Sequence, residues 1–292
     1  MMDSVERYLA PAGLMQALAV LAGPGDTTML AGGTDLMPQA NAGRVEAAGT
    51  LLNIGRVAGL DVIALDGAEL MLGTLATIGQ LQVHALVHKH APLLAQAADH
   101  FASQQIRNCA TLGGNICNAS PAGDMLPALL ALDAQVELAS LAGDGTISKR
   151  RMPIDGFFTG PGRTRREPNE LLTSVRVPLA EIGQLTRFHK AGTRPALDIS
   201  TIAIAFAARR DSAGRLHGVR LAFGAVAPTP LRARRAEALL EGRAIDDALA
   251  DAAARCAADE AHPIDDVRAS AWYRKELLHN MTRRMLHDAV QH

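Results

Sequence analysis

Hydrophobic positions recur with two different periods between positions 1 and 180 of the chain. Leu14, Leu18 and Leu21 lie at the spacing of one helix face, which predicts a short amphipathic helix. Short apolar runs bounded by turn-forming residues instead predict strands, and two of them flank the Asp66-Gly67 turn of a predicted hairpin. The predicted helices span 12–22, 77–88, 92–103 and 125–132, and the predicted strands span 27–31, 51–54, 62–65, 69–72, 134–139 and 171–177.

The pattern changes at about residue 184. Three strand-like runs at 185–191, 199–209 and 216–227 follow, with a turn at 211–214 between the last two. From residue 232 the chain is rich in Ala, Arg and Glu, which predicts helices. We therefore predict a first domain over 1–180 and a C-terminal domain over 181–292. Residues 156–169 between the last two elements of the first domain are interpreted as a loop.

Two glycine pairs, Gly32-Gly33 and Gly113-Gly114, carry the candidate chemistry. Adjacent glycines adopt positive φ without strain and present no Cβ to a ligand, so that consecutive amides can point at one anion. Thr and Asp or Asn stand next to both pairs, and the carboxylate of Asp124 can accept hydrogen bonds from sugar-like hydroxyls. Two such loops in one chain predict a ligand with two phosphates, namely a dinucleotide such as FAD.

Other nucleotide motifs and other classes of chemistry are disfavoured. Neither a G-x-G-x-x-G nor a G-x-x-x-x-G-K-[ST] sequence follows the first strand. The chain shows no nucleophile elbow, paired carboxylates or zinc motif, so we predict no catalytic residue and no metal ligand. His84, His88 and His90 are interpreted as solvated helix positions.

Composition and charge exclude several classes of binding partner. The formal net charge is −1 and only 3% of residues are aromatic, so we expect neither nucleic-acid binding nor membrane insertion. Three cysteines without a C-x-x-C pair, and the lack of a targeting signature, predict reduced thiols in a cytoplasmic protein. Arginines 163, 165 and 166 form a basic patch that suits either a solvated loop or contact with an acidic partner or the phosphate of NAD⁺.

Several segments resemble the FAD-binding medium subunit of the molybdenum hydroxylases, the family that includes bacterial xanthine dehydrogenase and aerobic carbon monoxide dehydrogenase. The similarity runs nearly end to end and is most specific in the second glycine segment. The segments that carry it are AGGTDL (31–36), QIRNCATLGGNICNASPAGD (105–124), FFTGPGRT (157–164), NELLTSVRVP (169–178), KAGTRPALDIS (190–200) and RASAWYRKELL (268–278).

The resemblance implies a fold and a set of cofactor contacts. The fold would be α+β: a two-subdomain FAD-binding domain of the vanillyl-alcohol oxidase and p-cresol methylhydroxylase type, divided into about 1–55 and 56–180, followed by a three-stranded antiparallel sheet with a helix bundle. Asp124 would bind sugar-like hydroxyls, Phe101 would lie near the flavin or adenine, Leu172 would pack on the isoalloxazine, and Lys190 would lie near the cofactor. The residues implied to hold the pyrophosphate are Met29, Leu30, Ala31, Gly32, Gly33, Thr34, Asp35, Leu36, Thr111, Leu112, Gly113, Gly114 and Asn115.

The resemblance also implies an electron-transfer role. A molybdenum-cofactor large subunit would oxidise the substrate, a small subunit with two 2Fe–2S clusters would relay electrons, and this chain would pass them to NAD⁺, a quinone or dioxygen. The assembly would be a dimer of heterotrimers. FAD is expected as the only cofactor of this chain, because it lacks the cysteine-rich insertion of the hydroxybenzoyl-CoA reductase branch.

Two alternatives stand beside this interpretation. The first is a stand-alone FAD oxidoreductase of the vanillyl-alcohol oxidase type, which would need its own substrate cavity with an acid or base. The second is a non-enzymatic nucleotide-binding module, which would lack redox activity.

Overall fold

The computed structural model describes residues 5–46, 49–180, 183–194 and 197–291. The strands that form the two sheets in the part of the chain up to position 180 are β1 Arg7–Leu9, β2 Thr27–Leu30, β3 Thr50–Asn53, β4 Ile63–Asp66, β5 Glu69–Gly73, β6 Gln135–Leu141, β7 Ile147–Pro153 and β10 Leu171–Pro178. One is a three-stranded parallel sheet in the order β1-β3-β2, and the other is a five-stranded antiparallel sheet in the order β4-β5-β10-β6-β7. A short hairpin, β8 Phe158–Gly160 with β9 Arg163–Thr164, precedes β10.

Helices pack around these two sheets, and together with them they form what we call the N-terminal half. The helix predicted at 12–22 is α1, which buries Ala17, Leu18 and Leu21. The hairpin predicted around Asp66-Gly67 is β4–β5, and Gly67 supplies its left-handed turn position with φ +62°. The helices of this half are α1 Leu14–Leu21, α2 Leu36–Asn41, α3 Ile78–Val83, α4 Ala85–His90, α5 Pro92–Asp99, α6 Gln104–Cys109, α7 Leu112–Asn118 and α8 Met125–Ala131.

Four strands and three helices form the rest of the described chain, the C-terminal half. The antiparallel sheet has the order β11-β12-β13-β14, so the three strands expected here are joined by a short fourth one. Sequence patterning missed the fourth strand because two residues are too few to show a period. These elements are β11 Gln184–Ala191, β12 Ile202–Arg210, β13 Leu216–Gly224, β14 Leu231–Arg232, α9 Arg234–Leu240, α10 Asp247–Glu260 and α11 Ala271–Gln291.

Strand β12 joins the two halves through its alternating side chains. Its large residues Ile204 and Phe206 belong to the core shared with the C-terminal helices, whereas its small residues Ala205 and Ala207 belong to the core of the N-terminal half. Helix α8 packs on the small-residue face of β12 and β13. Alternation places one class of residue on each face of a strand, so the C-terminal sheet is covered by α8 on one side and by its own helices on the other.

Other predicted elements need correction. The helix expected at 77–88 is two helices, because His84 has an extended conformation and caps the start of α4. Strands β1 and β7 were missed, because β1 has three residues and β7 is largely exposed and polar without alternation. The segment interpreted as a loop at 156–169 contains the β8–β9 hairpin.

Candidate cofactor site

Gly32 brings the two glycine segments into contact. A Cβ at Gly32 would lie 1.9 Å from the carbonyl oxygen of Cys109 and 3.2 Å from the Cα of Ala110. Cys109 ends α6, two residues before Thr111. Only glycine permits such a close approach of two main chains, so this residue type is required for the two segments to pack together.

The first segment is a turn whose amides remain free. Gly33 has φ +69°, and its carbonyl accepts a hydrogen bond from the Met37 amide at 3.0 Å. Within the described chain, no protein acceptor receives the amides of residues 32–35. Asp35 precedes α2 and makes no capping bond, so the amide of Leu36 at the first helical position also lacks a side-chain cap. Consecutive free amides around a left-handed position form an anion-binding concavity.

The second segment is helical, which corrects its prediction as a loop. Residues 112–118 form α7, with Thr111 as the N-cap. Each amide from Leu112 to Asn115 already has a protein acceptor. The acceptors, in chain order, are Ala76 O at 2.9 Å, Thr74 O at 2.9 Å, Thr111 Oγ1 at 3.1 Å and Thr111 O at 3.0 Å. These amides are therefore not available to a phosphate in this conformation.

The two glycines of the second segment differ in their surroundings. Gly113 is buried, and a Cβ on it would lie 1.7 Å from Thr74 Oγ1. Gly114 is exposed, and its nearest obstacle is Thr111 Oγ1 at 2.9 Å. Asn115 Oδ1 is buried and has no hydrogen-bond partner. Gly113 is therefore required for close packing with Thr74. Gly114 leaves open surface for a ligand, and the side-chain oxygen of Asn115 is an acceptor that a ligand could satisfy.

Asp124 and Lys190, both implied by the resemblance to lie near the cofactor, form an ion pair with each other. Lys190 Nζ donates to Asp124 Oδ2 at 2.6 Å and to the His100 carbonyl at 3.1 Å. Ser200 Oγ donates to Asp124 Oδ1 at 2.6 Å. Burial raises the pKa of Asp124, while the Lys190 ammonium and the Ser200 hydroxyl act in the opposite direction. The ion pair thus links the residue before α8 to strand β11, and the Ser200 hydrogen bond links it to the segment before β12.

Phe101 lies on a strained turn held by Arg107. The Phe101 ring is half-buried against the core of the N-terminal half. The next residue, Ala102, has φ +36°, a conformation that costs a non-glycine residue energy. Arg107 Nη1 donates to the carbonyls of Phe101 at 2.7 Å and Ala102 at 3.1 Å. Arg107 therefore fixes the backbone that carries the aromatic ring.

The remaining residues implied at the site lie on strands or helix ends around the glycine segments. Met29 lies on β2 and packs, half-buried, against the adjacent core, and the Leu30 carbonyl accepts from the Ile54 amide at 2.9 Å. Leu172 is only 2% exposed, on the central strand β10. Leu172 is therefore enclosed by core residues, unlike Gly114 and Asp35, which are exposed.

Of the three histidines predicted as solvated helix positions, His88 is exposed, whereas His90 Nε2 is buried and has no hydrogen-bond partner among the described residues. His84 Nδ1 accepts from the Leu86 amide at 3.3 Å, and His88 Nε2 lies 2.7 Å from the Gln82 carbonyl. No group of three or more His, Cys, Asp or Glu side chains in the described residues could hold a metal ion. None of the described helices has the length and apolarity needed to span a membrane.

Sequence analysis missed three residues that shape the site. Thr74, Arg107 and Ser200 act on the glycine segment, on Phe101 and on Asp124, respectively. Arg107 and Ser200 lie inside the segments that carry the family resemblance, which was the available signal. No sequence signal points to Thr74, because its contact with Gly113 arises only when distant parts of the chain pack together.

Comparison with known protein families matches nearly the whole chain. The model described as "FAD binding domain in molybdopterin dehydrogenase" matches residues 3–180, and "CO dehydrogenase flavoprotein C-terminal domain" matches residues 187–289. The "Xanthine dehydrogenase FAD-binding subunit" of Escherichia coli O157:H7 is 34% identical over 286 residues, covering 97% of this chain and 95% of the relative. The "Carbon monoxide dehydrogenase medium chain" of Hydrogenophaga pseudoflava is 32% identical over 283 residues, covering 97% and 96%.

Solved structures show the same similarity. A structure of carbon monoxide dehydrogenase from Hydrogenophaga pseudoflava, described as lacking the Mo-pyranopterin moiety of the molybdenum cofactor, superposes with a TM-score of 0.91. The sequence identity is 31%, and the match covers 100% of this chain and 99% of that one.

Proposed function

The chain belongs to the family of FAD-binding medium subunits of the molybdenum hydroxylases, and we propose that it holds FAD at the contact between its two glycine segments and passes electrons onward from there. The run of free amides at residues 32–35 is the observation that carries this proposal. A pyrophosphate would satisfy donors that the protein leaves unpaired, at a turn that the Gly32 contact holds against the end of α6.

The other residues fit a dinucleotide in the same place. Gly114 offers an exposed surface without a side chain, and the unpartnered Asn115 Oδ1 can accept from a hydroxyl or amide of the ligand. Asp124 and Lys190 provide a buried charged pair for the sugar-like hydroxyls. The amides of residues 112–115 already bond within the protein, so they would reach the pyrophosphate only if those hydrogen bonds were exchanged for the ligand.

Phe101 and Leu172, the two residues expected to contact the rings of FAD, differ in how accessible they are. Phe101 is half-buried, so one part of its ring remains available to the adenine or flavin. Leu172 is enclosed by core residues. We therefore propose that it packs on the flavin ring only once neighbouring side chains have moved aside. We also infer that residues 1–55 and 56–180 are the two subdomains of a vanillyl-alcohol oxidase type domain, followed by a C-terminal domain over 181–292.

Bound FAD would supply exchange of one or two electrons, and the chain's own residues would bind, orient and shield it. We propose that this chain works with a molybdenum-cofactor large subunit and a 2Fe–2S small subunit in a dimer of heterotrimers. The electrons would leave to NAD⁺, a quinone or dioxygen, and the exposed Arg163 and Arg165 are the cationic side chains that could meet the NAD⁺ phosphates. We propose a cytoplasmic location on the basis of its three free cysteines.

Purification of the complex from the native host tests this assignment. We expect two further chains, with molybdenum, iron and FAD in comparable amounts. After removal of flavin, the full chain should take up one equivalent of FAD, measured by fluorescence quenching. A single flavoprotein that oxidises a substrate without partners would instead establish the stand-alone oxidoreductase. A colourless chain that takes up no FAD would establish the non-flavin module.

A further inference from the structure

Asp124 belongs to the N-terminal half, but its hydrogen-bond partners come from the other side of the domain boundary. Lys190 lies on β11 and Ser200 lies just before β12, and each contacts a different carboxylate oxygen at 2.6 Å. Within the described residues, no group from the N-terminal half donates a hydrogen bond to this carboxylate. The C-terminal half therefore determines how the carboxylate is oriented.

The Ser200 hydroxyl is well placed to control that orientation. Ser200 is only 1% exposed and Asp124 only 8%, so water cannot readily replace the bond between them. The next residue, Thr201, donates its amide to the Ala191 carbonyl at 2.8 Å. Ala191 follows Lys190 at the end of β11. This bond fixes the backbone of Ser200 beside the strand that carries Lys190, so the two donors approach Asp124 as one unit.

The segment around Asp124 packs against the C-terminal sheet. The Ala225 amide donates to the Pro121 carbonyl at 2.7 Å. A Cβ on Gly224 would lie 3.0 Å from the Pro127 ring. These contacts on both sides of Asp124 hold the carboxylate at the boundary, where Ser200 and Lys190 reach it.

We propose that Ser200 is a positioning residue for FAD binding, acting across the domain boundary through Asp124. This inference rests on the proposed function of the chain as an FAD subunit. Ser200 occupies Oδ1, and the other oxygen, Oδ2, then faces Lys190. Without the hydroxyl, the carboxylate is free to rotate and to share both oxygens with Lys190, which removes the orientation that a ligand hydroxyl would meet.

A double-mutant cycle with Asp124 separates this role from a general effect on folding. Ser200→Ala should raise the Kd for FAD of the full chain about tenfold, the loss typical of a hydrogen bond to a charged group. In the Asp124→Ala background the same substitution should change the Kd by less than about twofold, since no carboxylate is left for the hydroxyl to orient. Thr201→Val is the matched control, because it keeps the backbone amide that bonds to Ala191 and removes only a neighbouring hydroxyl that makes no hydrogen bond to Asp124, and it should leave the Kd unchanged.

The measured Kd values distinguish a positioning role of Ser200 from a loss of folded protein. Thermal melting without FAD gives the folded fraction, so every Kd refers to folded protein. An equal loss of affinity in both backgrounds would show that Ser200 does not act through Asp124, and an unchanged Kd for Ser200→Ala would also overturn the inference. If the unmodified chain takes up no FAD, the proposed function itself fails, which is a different result from a Kd that is insensitive to Ser200.

Discussion

The two glycine pairs look alike in sequence, yet the structure uses them for different purposes. At Gly32-Gly33 the backbone turns through a left-handed position and leaves consecutive amides free. At Gly113-Gly114 the backbone is helical and its amides are bonded within the protein. The first pair is therefore a candidate anion nest, whereas the second provides close packing and one uncovered surface. A glycine pair indicates that a side chain is not tolerated, but it does not say whether a ligand or another part of the protein requires its absence.

Gly32→Ala should have the largest effect, because the new Cβ would meet the main-chain carbonyl of Cys109, which cannot rotate away. We expect a loss of about 3 kcal/mol in the free energy of unfolding, together with loss of FAD binding as the two segments separate. Urea denaturation and FAD titration would measure both. Gly143→Ala is the control, since nothing lies within 4 Å of a Cβ there. Full FAD affinity in a stable Gly32→Ala protein would contradict the close contact.

Gly113→Ala should come next, because its Cβ would overlap the side chain of Thr74. We expect a loss of about 2 kcal/mol of stability, with a smaller change in the FAD affinity of the folded protein than Gly32→Ala causes. Adding Thr74→Ala should recover part of the loss, because it removes the hydroxyl that the new methyl meets. Strictly additive losses in the double variant would show that Thr74 is not the obstacle.

Gly114→Val tests whether the second segment meets the cofactor at all. Gly114 is exposed, and a new Cβ would crowd only the Thr111 hydroxyl, so the stability cost should not exceed about 1 kcal/mol, the value of a helix cap. We expect the Kd for FAD to rise about tenfold, because a branched side chain would occupy the approach to the site. Unchanged affinity would leave the Gly32-Gly33 segment as the sole pyrophosphate contact.

Thr111→Val should have the smallest effect. It removes the hydroxyl that accepts the Gly114 amide at 3.1 Å, and such a lost cap costs about 1 kcal/mol of stability. Thr111→Ser keeps the hydroxyl and should behave as the unmodified chain does. The shift in the midpoint of urea denaturation between these variants measures the cap. Equal midpoints would mean that the amides of the second segment do not depend on Thr111.

Periodicity predicted the elements that bury one continuous face. Helix α1, the β4–β5 hairpin and strand β10 lie where the apolar pattern placed them, since each is long enough or flanked by a clear turn. Strand β7 lacks that pattern. Its Lys149 and Arg151 pair with Glu137 on β6, so the strand is stabilised by ion pairs and by the main-chain ladder instead of an apolar face.

The sequence by itself determined that two glycine segments, Asp124 and Lys190 belong to one family pattern, because these residue types recur in fixed local order. Only the tertiary structure decided which amides are free, because that depends on distant acceptors such as Ala76 and Thr74. The same holds for Asp124, whose partners Lys190 and Ser200 lie 66 and 76 residues away. Local sequence specifies turns and periods, whereas the satisfaction of each polar group depends on what folding brings beside it.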